Sequence, residues 1–469
     1  MTYAFSFNAS ACTGCKACQE ACKDKNNLPN GILWRRVIEV SGGEWRKSGE
    51  AWESSVFAYN LTLACNHCTH SKCAGVCPTD AYVVRADGIV LIDTSKCMGC
   101  GYCTWACPYG APQYDAVQGI VTKCNFCYDN LDAGLPPSCV SACPLRVLNI
   151  NILEDISPAD QKQNLWQLAG SEHPFPLPEY SRTEPHLAIK LHPGMKSPLK
   201  KRVANLEEVL PPALNTEHRD KAFRELPLLA FTLLAQMAVG LALCWLVMPQ
   251  FPSAAMLSIG ILLGVGGAVS FLHLGHKRNA WRAVAHLRKS WLSREVLLAS
   301  LFGIAWLVSV LWEWVKATPF TPWPMAILGV GLIYCMSQVY LLRAVPFWNS
   351  WRTPASFFLA TIVLGVLGAS LVSPLKNWAL LAGIAMAAEA AVMLTTEHAV
   401  RGVVGRLRLT LLSLGFVGTI MGASIPQANV GSLVTIIFII AVAEEALGRW
   451  QFYTGRVPFP MNLTTSTPY

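Results

Sequence analysis

The stretch CMGCGYCTWACP, from Cys97 to Pro108, contains the cysteine spacing that decides the fold of the first third of the chain. Its first three cysteines follow the pattern C-x-x-C-x-x-C, which wraps three thiolates around one iron–sulfur cube. Its fourth cysteine follows after three intervening residues, precedes a proline, and in proteins with two such clusters completes the neighbouring cube. The stretch therefore predicts one half of a two-cluster iron–sulfur fold.

Three further cysteine blocks repeat this arrangement of three cysteines followed by a fourth. Sixteen of the eighteen cysteines therefore lie between Cys12 and Cys143. Each block ends in C-x-x-x-C, and in three of them a proline follows at once. Four repeats predict four 4Fe-4S clusters, with the adjacent second and third blocks paired and the first and fourth paired around them. The predicted ligand sets are Cys12, Cys15, Cys18 and Cys143; Cys65, Cys68, Cys73 and Cys107; Cys97, Cys100, Cys103 and Cys77; and Cys124, Cys127, Cys139 and Cys22.

Structural zinc is the main alternative, because C-x-x-C pairs also form zinc knuckles. A zinc site needs only four ligands, however, and gives no reason for four blocks of three cysteines plus one. A disulfide framework is disfavoured because a chain of 469 residues does not need such cross-links to fold. We therefore expect reduced thiols that bind iron.

Composition divides the chain into a cysteine-rich first part and an apolar second part, joined by a polar, proline-rich segment. The apolar part contains eight spans, each near the roughly 20 residues that cross a bilayer as a helix. The spans are predicted at 227–248, 255–274, 295–314, 324–342, 354–372, 378–394, 407–424 and 430–447. The predicted domains are 1–180, a four-cluster ferredoxin-like domain; 181–226, a linker; 227–448, an eight-helix membrane anchor with a quinone site; and 449–469, a C-terminal tail.

The fold class is therefore an α+β double ferredoxin-like iron–sulfur domain followed by an all-α eight-helix transmembrane bundle. In the first domain, the branched and aromatic runs VFAYNLTLA at 56–64 and GIVLIDTSK at 88–96 predict short strands that lead into the cysteine loops. The helices should be short turns after each third cysteine. The run LWRRVIEV at 33–40 fits either a strand or a subunit-contact arm.

The net charge of +8 comes from basic loops between apolar spans, which indicates membrane topology rather than nucleic-acid binding. Thirteen arginines and lysines lie in or beside loops on the face of the iron–sulfur domain, against Lys316 and Lys376 on the other face. The positive-inside rule then places the iron–sulfur domain on the cytoplasmic face of a bacterial inner membrane. The first residues show no export signal, and a partner that carries one would reverse this orientation.

Polar residues inside a bilayer are costly, so they point to functional sites. His273 ends the second span and Glu295 begins the third, and together with Arg294 they form a candidate site for a quinone head group. The alternative is that His273 and Glu295 cap helix ends, and the residues alone favour neither role. Glu389, Glu444 and Glu445 are further polar candidates, the last two as ion-pair partners of Arg449. Because none of His273, His276, His286 and His398 lies at mid-depth, we expect no haem.

The chain resembles two subunits of the anaerobic dimethyl sulfoxide reductases fused end to end. Residues 1 to about 200 are similar to their iron–sulfur subunit, through CTGCKACQEACKD, SSVFAYNLTLACNHC, CPYGAPQY and SACPLRVLNI. Residues 220–469 are similar to their membrane anchor, through HLG at 273–275, SWLSRE at 290–295 and FWNSWRTPASFFL from Phe347. The resemblance implies a quinol site with a histidine and a glutamate at the positions of His273 and Glu295.

It also implies a separate molybdopterin catalytic subunit, to which four 4Fe-4S clusters carry electrons from menaquinol or ubiquinol. The expected role is that of a non-catalytic redox and anchor subunit, in anaerobic respiration of dimethyl sulfoxide or a similar S- or N-oxide. The expected partners are the molybdopterin subunit, the quinone pool and the lipid bilayer, with no nucleic acid. The alternative is a membrane-bound sulfite dehydrogenase that runs the same relay in reverse, or a related sulfur-compound reductase.

Overall fold

The computed structural model of the chain describes residues 1–42, 45–54, 56–152, 177, 183–193, 225–248, 252–316, 322–372, 377–395, 402–424 and 431–454. The chain forms two compact units. The first consists of Met1–Pro212, Arg278–Arg282 and Val457–Tyr469, and the second of Ala213–Lys277 and Ala283–Arg456. His398, most of the predicted linker and the last residues of the predicted tail lie outside the described residues.

The first unit is built from short strands and short helices. Its strands are β1 (Tyr3–Asn8), β2 (Arg36–Gly42), β3 (Trp45–Ser48), β4 (Ala51–Ser54), β5 (Phe57–Leu63), β6 (Tyr82–Val84), β7 (Val90–Ile92), β8 (Gln113–Asp115), β9 (Ile120–Thr122), β10 (Leu148–Ile152) and β11 (Leu187–Lys190). Its helices are α1 (Ala17–Lys25), α2 (Lys72–Val76), α3 (Tyr102–Ala106), α4 (Tyr128–Asp132) and α5 (Ser138–Ser141).

The largest sheet of the first unit has the strand order β10-β1-β11. Strand β1 pairs antiparallel with β10 and parallel with β11. The apolar side chains of β1 face the core, where the ring of Phe5 stacks on that of Phe126 with centroids 4.1 Å apart. Because Phe126 lies inside the fourth cysteine block, this stacking fixes that block against the sheet.

The predicted strands at 56–64 and 88–96 are confirmed as β5 and β7. The run LWRRVIEV forms part of β2, which pairs antiparallel with β5, so the strand alternative is the correct one. The predicted start of the linker at 181 is wrong, because Leu187–Lys190 forms β11 in the sheet of the first unit. The side chains of Leu187, Ala188 and Ile189 are buried there, which accounts for the stability of this strand.

The second unit is helical, which confirms the predicted fold class. Its described helices are α6 (Leu226–Val247), α7 (Ser253–Ser270), α8 (Trp291–Lys316), α9 (Trp323–Tyr340), α10 (Arg352–Val372), α11 (Trp378–Leu394), α12 (Gly402–Ala423) and α13 (Gly431–Thr454). Seven of them are long and apolar enough to cross a membrane, whereas α11 has only 17 residues. Helix α13 continues to Thr454, beyond the predicted boundary at 448.

Candidate iron–sulfur sites and buried polar residues

The four C-x-x-C loops share one backbone conformation. In each block the residue before the second cysteine has a positive φ: +72° at Gly14, +45° at His67, +71° at Gly99 and +62° at Phe126. This left-handed residue turns its own N–H toward the first cysteine, and Gly99 N lies 3.4 Å from Cys97 Sγ. Such N–H groups stabilise a thiolate, so the repeated turn is suited to holding metal-bound sulfur.

The predicted short helices are present, but each begins one residue before the third cysteine of its block rather than after it: Cys18 lies on α1, Cys73 on α2, Cys103 on α3 and Cys139 on α5. Helix α1 also carries Cys22, one helical turn after Cys18, and both are buried. Residues four apart lie on one helix face. Helix α1 therefore presents two cysteines to the interior of the first unit.

The structure brings the sixteen cysteines together in four groups. The Cys12 group comprises Cys12, Cys15, Cys18 and Cys143; the Cys22 group comprises Cys22, Cys124, Cys127 and Cys139; the Cys65 group comprises Cys65, Cys68, Cys73 and Cys107; and the Cys77 group comprises Cys77, Cys97, Cys100 and Cys103. In every group three cysteines come from one block and the fourth from another. Concave sites enclose the Cys65 group and the Cys12 group.

The chemistry of the donors fits iron–sulfur clusters. Burial raises the pKa of the Cys100 thiol to about 12 and that of Cys107 to about 11, so these thiols hold their protons when no metal is bound. A thiolate is the form that binds iron, and cluster assembly must therefore displace those protons. Further polar atoms face the sulfurs, such as Ala81 N at 3.4 Å from Cys77 Sγ and Thr62 Oγ1 at 3.5 Å from Cys18 Sγ.

Electrostatic interactions connect the four groups in one order. Cys18 of the Cys12 group interacts electrostatically with Cys139 of the Cys22 group. Cys124 of the Cys22 group interacts with Cys65. The half-buried Tyr82 side chain interacts electrostatically with Cys73 of the Cys65 group and Cys103 of the Cys77 group. The order is therefore the Cys12 group, the Cys22 group, the Cys65 group and the Cys77 group.

The segment Arg278–Arg282, which lies between α7 and α8 in sequence, belongs to the first unit. There Asn279 Nδ2 donates to Ser95 O at 2.8 Å and to Cys97 O at 2.9 Å. Asn279 thus contacts the Cys77 group, the last in that order. The sequence did not single out Asn279.

Of the predicted quinone residues, Glu295 is the most deeply buried. It lies in the first turns of α8, and its side chain is 5% exposed. Its electrostatic neighbours are Cys335 and Tyr340 on α9 and Tyr453 on α13. The Tyr340 and Tyr453 hydroxyls are 2.6 Å apart. Glu295 therefore faces a polar patch at one end of the helix bundle.

Arg294 and His273 have different surroundings. The guanidinium of Arg294 donates to the carbonyls of Leu287 and Arg288, both at 2.8 Å, and lies over the ring of Trp291. These hydrogen bonds satisfy carbonyl groups of the residues just before α8, which favours a capping role for Arg294. His273 ends the 3-10 turn that follows α7 and is half-buried.

A buried charge network in α11, α12 and α13 was only partly anticipated. Arg408 Nη2 lies 2.7 Å from Glu444 Oε1 and 3.7 Å from Glu389 Oε1. Glu444 therefore pairs with Arg408, whereas the sequence suggested Arg449 as its partner. Arg449 Nη2 instead donates to Gln236 Oε1 on α6, at 3.1 Å. The sequence shows Arg408 only as one of many loop charges, because its partner is on another helix.

Comparison with known proteins agrees with this architecture. Residues 56–153 match a family described as a 4Fe-4S dicluster domain, and residues 220–405 match the DMSO reductase anchor subunit (DmsC). The B subunit of the anaerobic dimethyl sulfoxide reductase of Escherichia coli K12 is 43% identical over 188 residues, which cover 40% of this chain and 88% of the relative. The chain belongs to the anaerobic dimethyl sulfoxide reductase family.

Within that family the chain joins the iron–sulfur subunit and the membrane anchor in one polypeptide, as the sequence predicts. More distant relatives of the iron–sulfur part include the formate dehydrogenase iron–sulfur subunit of Wolinella succinogenes, 35% identical over 33% of this chain and 82% of the relative. The thiosulfate reductase electron transfer subunit of Salmonella typhi is 36% identical over 33% of this chain and 77% of the relative. This dimethyl sulfoxide reductase family member is therefore an iron–sulfur electron-transfer subunit with a multi-pass membrane anchor.

Proposed function

We propose that the chain passes electrons between the membrane quinone pool and a separate molybdopterin catalytic subunit, through four 4Fe-4S clusters held by the four cysteine groups. The order of these groups is the observation that carries the proposal. Electron transfer along a chain of carriers needs each carrier close to the next. The electrostatic interactions between Cys18 and Cys139 and between Cys124 and Cys65 support this closeness of successive groups.

In this proposal the Cys77 group is the quinone end of the relay and the Cys12 group is the end nearer the catalytic subunit. The contact of Asn279 with Cys97 O supports the first assignment, because Asn279 lies between two membrane helices in sequence. The separate catalytic subunit is supported by the relatives, which are named as individual subunits of larger reductases and dehydrogenases. The protein supplies ligands and spacing, while the clusters supply the redox chemistry.

We assign the quinone head group to His273 and Glu295. A quinol that gives up two electrons also releases two protons, and a buried carboxylate beside the head group can accept one of them. Glu295 is buried at one end of the helix bundle, as this role requires. Arg294 is proposed to position the start of α8, because its donors are occupied by backbone carbonyls.

The terminal substrate depends on the catalytic subunit. Reduction of dimethyl sulfoxide or a similar S- or N-oxide is the first candidate, on the strength of the 43% identity to a dimethyl sulfoxide reductase subunit. Sulfite oxidation, or reduction of another sulfur compound, would use the same relay. We place the iron–sulfur domain on the cytoplasmic face of a bacterial inner membrane, from the distribution of basic residues.

The test is quinol-driven reduction of the clusters in the intact complex, purified anaerobically from membranes. Menaquinol and ubiquinol analogues are each mixed with the oxidised complex, and cluster reduction is followed by electron paramagnetic resonance. Substitution of Glu295→Gln is expected to slow reduction by about 100-fold, because general-base catalysis contributes at least that much. Glu313→Gln, on the same helix, is the matched control and should leave the rate unchanged.

Iron content must stay equal in all samples. A wild-type rate of cluster reduction in the Glu295→Gln variant would show that Glu295 is not part of the quinone site. Mass spectrometry and metal analysis of the same preparation identify the large subunit and its molybdenum. A complex that lacks molybdenum would overturn the proposed partner, and the large subunit then decides which substrate is assayed.

A further inference from the structure

Arg35 is the most deeply buried arginine of the first unit among the residues that the structure describes. It lies just before β2, and only 2% of its surface is exposed. The side chain is held from two sides: Nη1 donates to Thr62 Oγ1 at 3.3 Å, and the guanidinium lies 4.4 Å from the centroid of the Phe5 ring. A buried arginine stays charged, so the protein fixes a full positive charge at this point.

Among the described contacts of Arg35 there is no carboxylate that would balance its positive charge. Its Nε and Nη2 atoms are buried and make no hydrogen bond to the described residues. Its electrostatic partners are instead cysteine thiols, those of Cys139, Cys124, Cys18 and Cys22. An isolated buried charge is strongly unfavourable, so the balancing negative charge must come from what these cysteines bind.

The four thiols belong to two different groups. Cys18 is in the Cys12 group, and the other three are in the Cys22 group. Thr62 connects the guanidinium to the first of these, because its hydroxyl also lies 3.5 Å from Cys18 Sγ. The backbone N–H of Arg35 faces the Cys22 thiol. Arg35 thus lies between two successive carriers of the proposed relay.

We propose that Arg35 is a potential-setting residue that raises the reduction potentials of the clusters in both the Cys12 and Cys22 groups. A cluster gains one unit of negative charge when it accepts an electron. A fixed cation beside it stabilises the reduced form more than the oxidised form. Because one guanidinium lies beside both clusters, it shifts their reduction potentials in the same direction.

The neighbouring arginine provides a natural comparison. Arg36 Nη2 donates to Tyr109 O at 2.6 Å, and its electrostatic partner among the cysteines is Cys107 of the Cys65 group. The two adjacent side chains therefore serve different clusters. A general effect of lost positive charge would move the same potentials in both variants, whereas the structure predicts separate targets.

The experiment is an anaerobic redox titration of the intact complex, followed by electron paramagnetic resonance, for Arg35→Met, Arg35→Lys and Arg36→Met. The signals of the two clusters are assigned with Cys18→Ser and Cys139→Ser, each of which alters the spectrum of one cluster. Arg35→Met should lower the equilibrium constant for reduction of each of the two clusters by about tenfold. This corresponds to a reduction potential lower by about 59 mV for a one-electron couple. Arg35→Lys should restore most of the shift, and Arg36→Met should leave these two potentials unchanged.

Unmoved potentials in Arg35→Met at full iron content would overturn the proposal, as would equal shifts in Arg36→Met. If Arg35→Met loses iron, Arg35→Gln is the second neutral variant. Loss of iron from both neutral variants, with iron kept in Arg35→Lys, would show that the role is structural only. The inference rests on the proposed four-cluster relay, and wild-type iron content separates the two: iron for fewer than four cubes contradicts the relay itself.

Discussion

Gly14 shows how a single position constrains a cysteine loop. Its φ is +72°, and a Cβ added there would lie 2.5 Å from Asn60 Oδ1. Asn60 Nδ2 also donates to Cys12 O, so movement of Asn60 would disturb the loop that carries Cys12 and Cys15. Gly14→Ala is expected to destabilise the folded first unit by about 1–3 kcal/mol, the cost of a non-glycine residue in a strained conformation. Iron content and the spectrum of the Cys12-group cluster measure the local effect.

Gly49 is the matched control, because its φ is +65° but a Cβ there would meet nothing within 4 Å. It lies between β3 and β4, where there are no cysteines. Gly49→Ala should carry part of the backbone cost and keep full iron content. If the two variants lose the same stability and both keep all their iron, the contact between Gly14 and Asn60 has no special importance.

Single residues can be identified from the sequence where their spacing indicates their chemistry. The sixteen cysteines and the groups into which they fall could be proposed from four repeats of one pattern. Arg35 could not be identified in this way, because in the run LWRRVIEV it looks the same as Arg36. Its importance comes from burial beside cysteines of two blocks that are distant in sequence. Only the folded chain reveals that arrangement.

Helices α6 and α10 approach each other most closely at two glycines. A Cβ added to Gly240 would lie 2.3 Å from Thr361 O and 2.6 Å from Gly365 Cα. Both are backbone atoms, so no side-chain rotation relieves the clash and the helices must move apart. Gly240→Ala is expected to destabilise the bundle by about 1–3 kcal/mol, as overpacking does in well-packed interiors. Thermal unfolding of the detergent-solubilised protein, followed by circular dichroism, measures the loss.

Gly264 on α7 is the control for this substitution, because a Cβ there would meet nothing within 4 Å. Gly264→Ala removes the same backbone freedom without a clash, and it should leave the unfolding temperature unchanged or slightly raised. An equal loss in both variants would mean that helix propensity, rather than close packing, determines the result.

Strands and helices could be predicted where the sequence of the segment itself indicates its structure. Strands β5 and β7 and the membrane helices have such signals in apolar content and length. Strand β11 does not, since a four-residue strand in a polar, proline-rich region is stable only because β1 lies beside it. The glycine run from Gly260 to Ser270 predicts close helix packing, and Gly260 does lie against the ring of Trp306. The backbone-to-backbone contact of Gly240 with Gly365 joins separate segments and has no local signature.

The whole molecule combines two units whose cores have different origins. In the first, six buried cysteines take part in the main hydrophobic core, so these proposed cluster ligands also pack as core residues. In the second, apolar helices pack against one another, and its cysteines Cys244 and Cys335 are buried within helices. The change in composition along the chain predicts this division. We therefore expect the fold of the iron–sulfur unit to depend on iron and the fold of the anchor unit not to depend on it.

Removal of iron should accordingly affect the two units differently. Anaerobic oxidation of the purified complex in the presence of a chelator extracts the clusters and leaves sixteen thiols without a ligand. Because metal binding and folding are coupled at such sites, residues 1–152 are expected to become sensitive to proteolysis. The helices between 226 and 454 should keep their far-ultraviolet circular dichroism signal. Oxidant without chelator controls for damage to the protein, and an unchanged proteolysis pattern after iron loss would show that the first unit folds without its clusters.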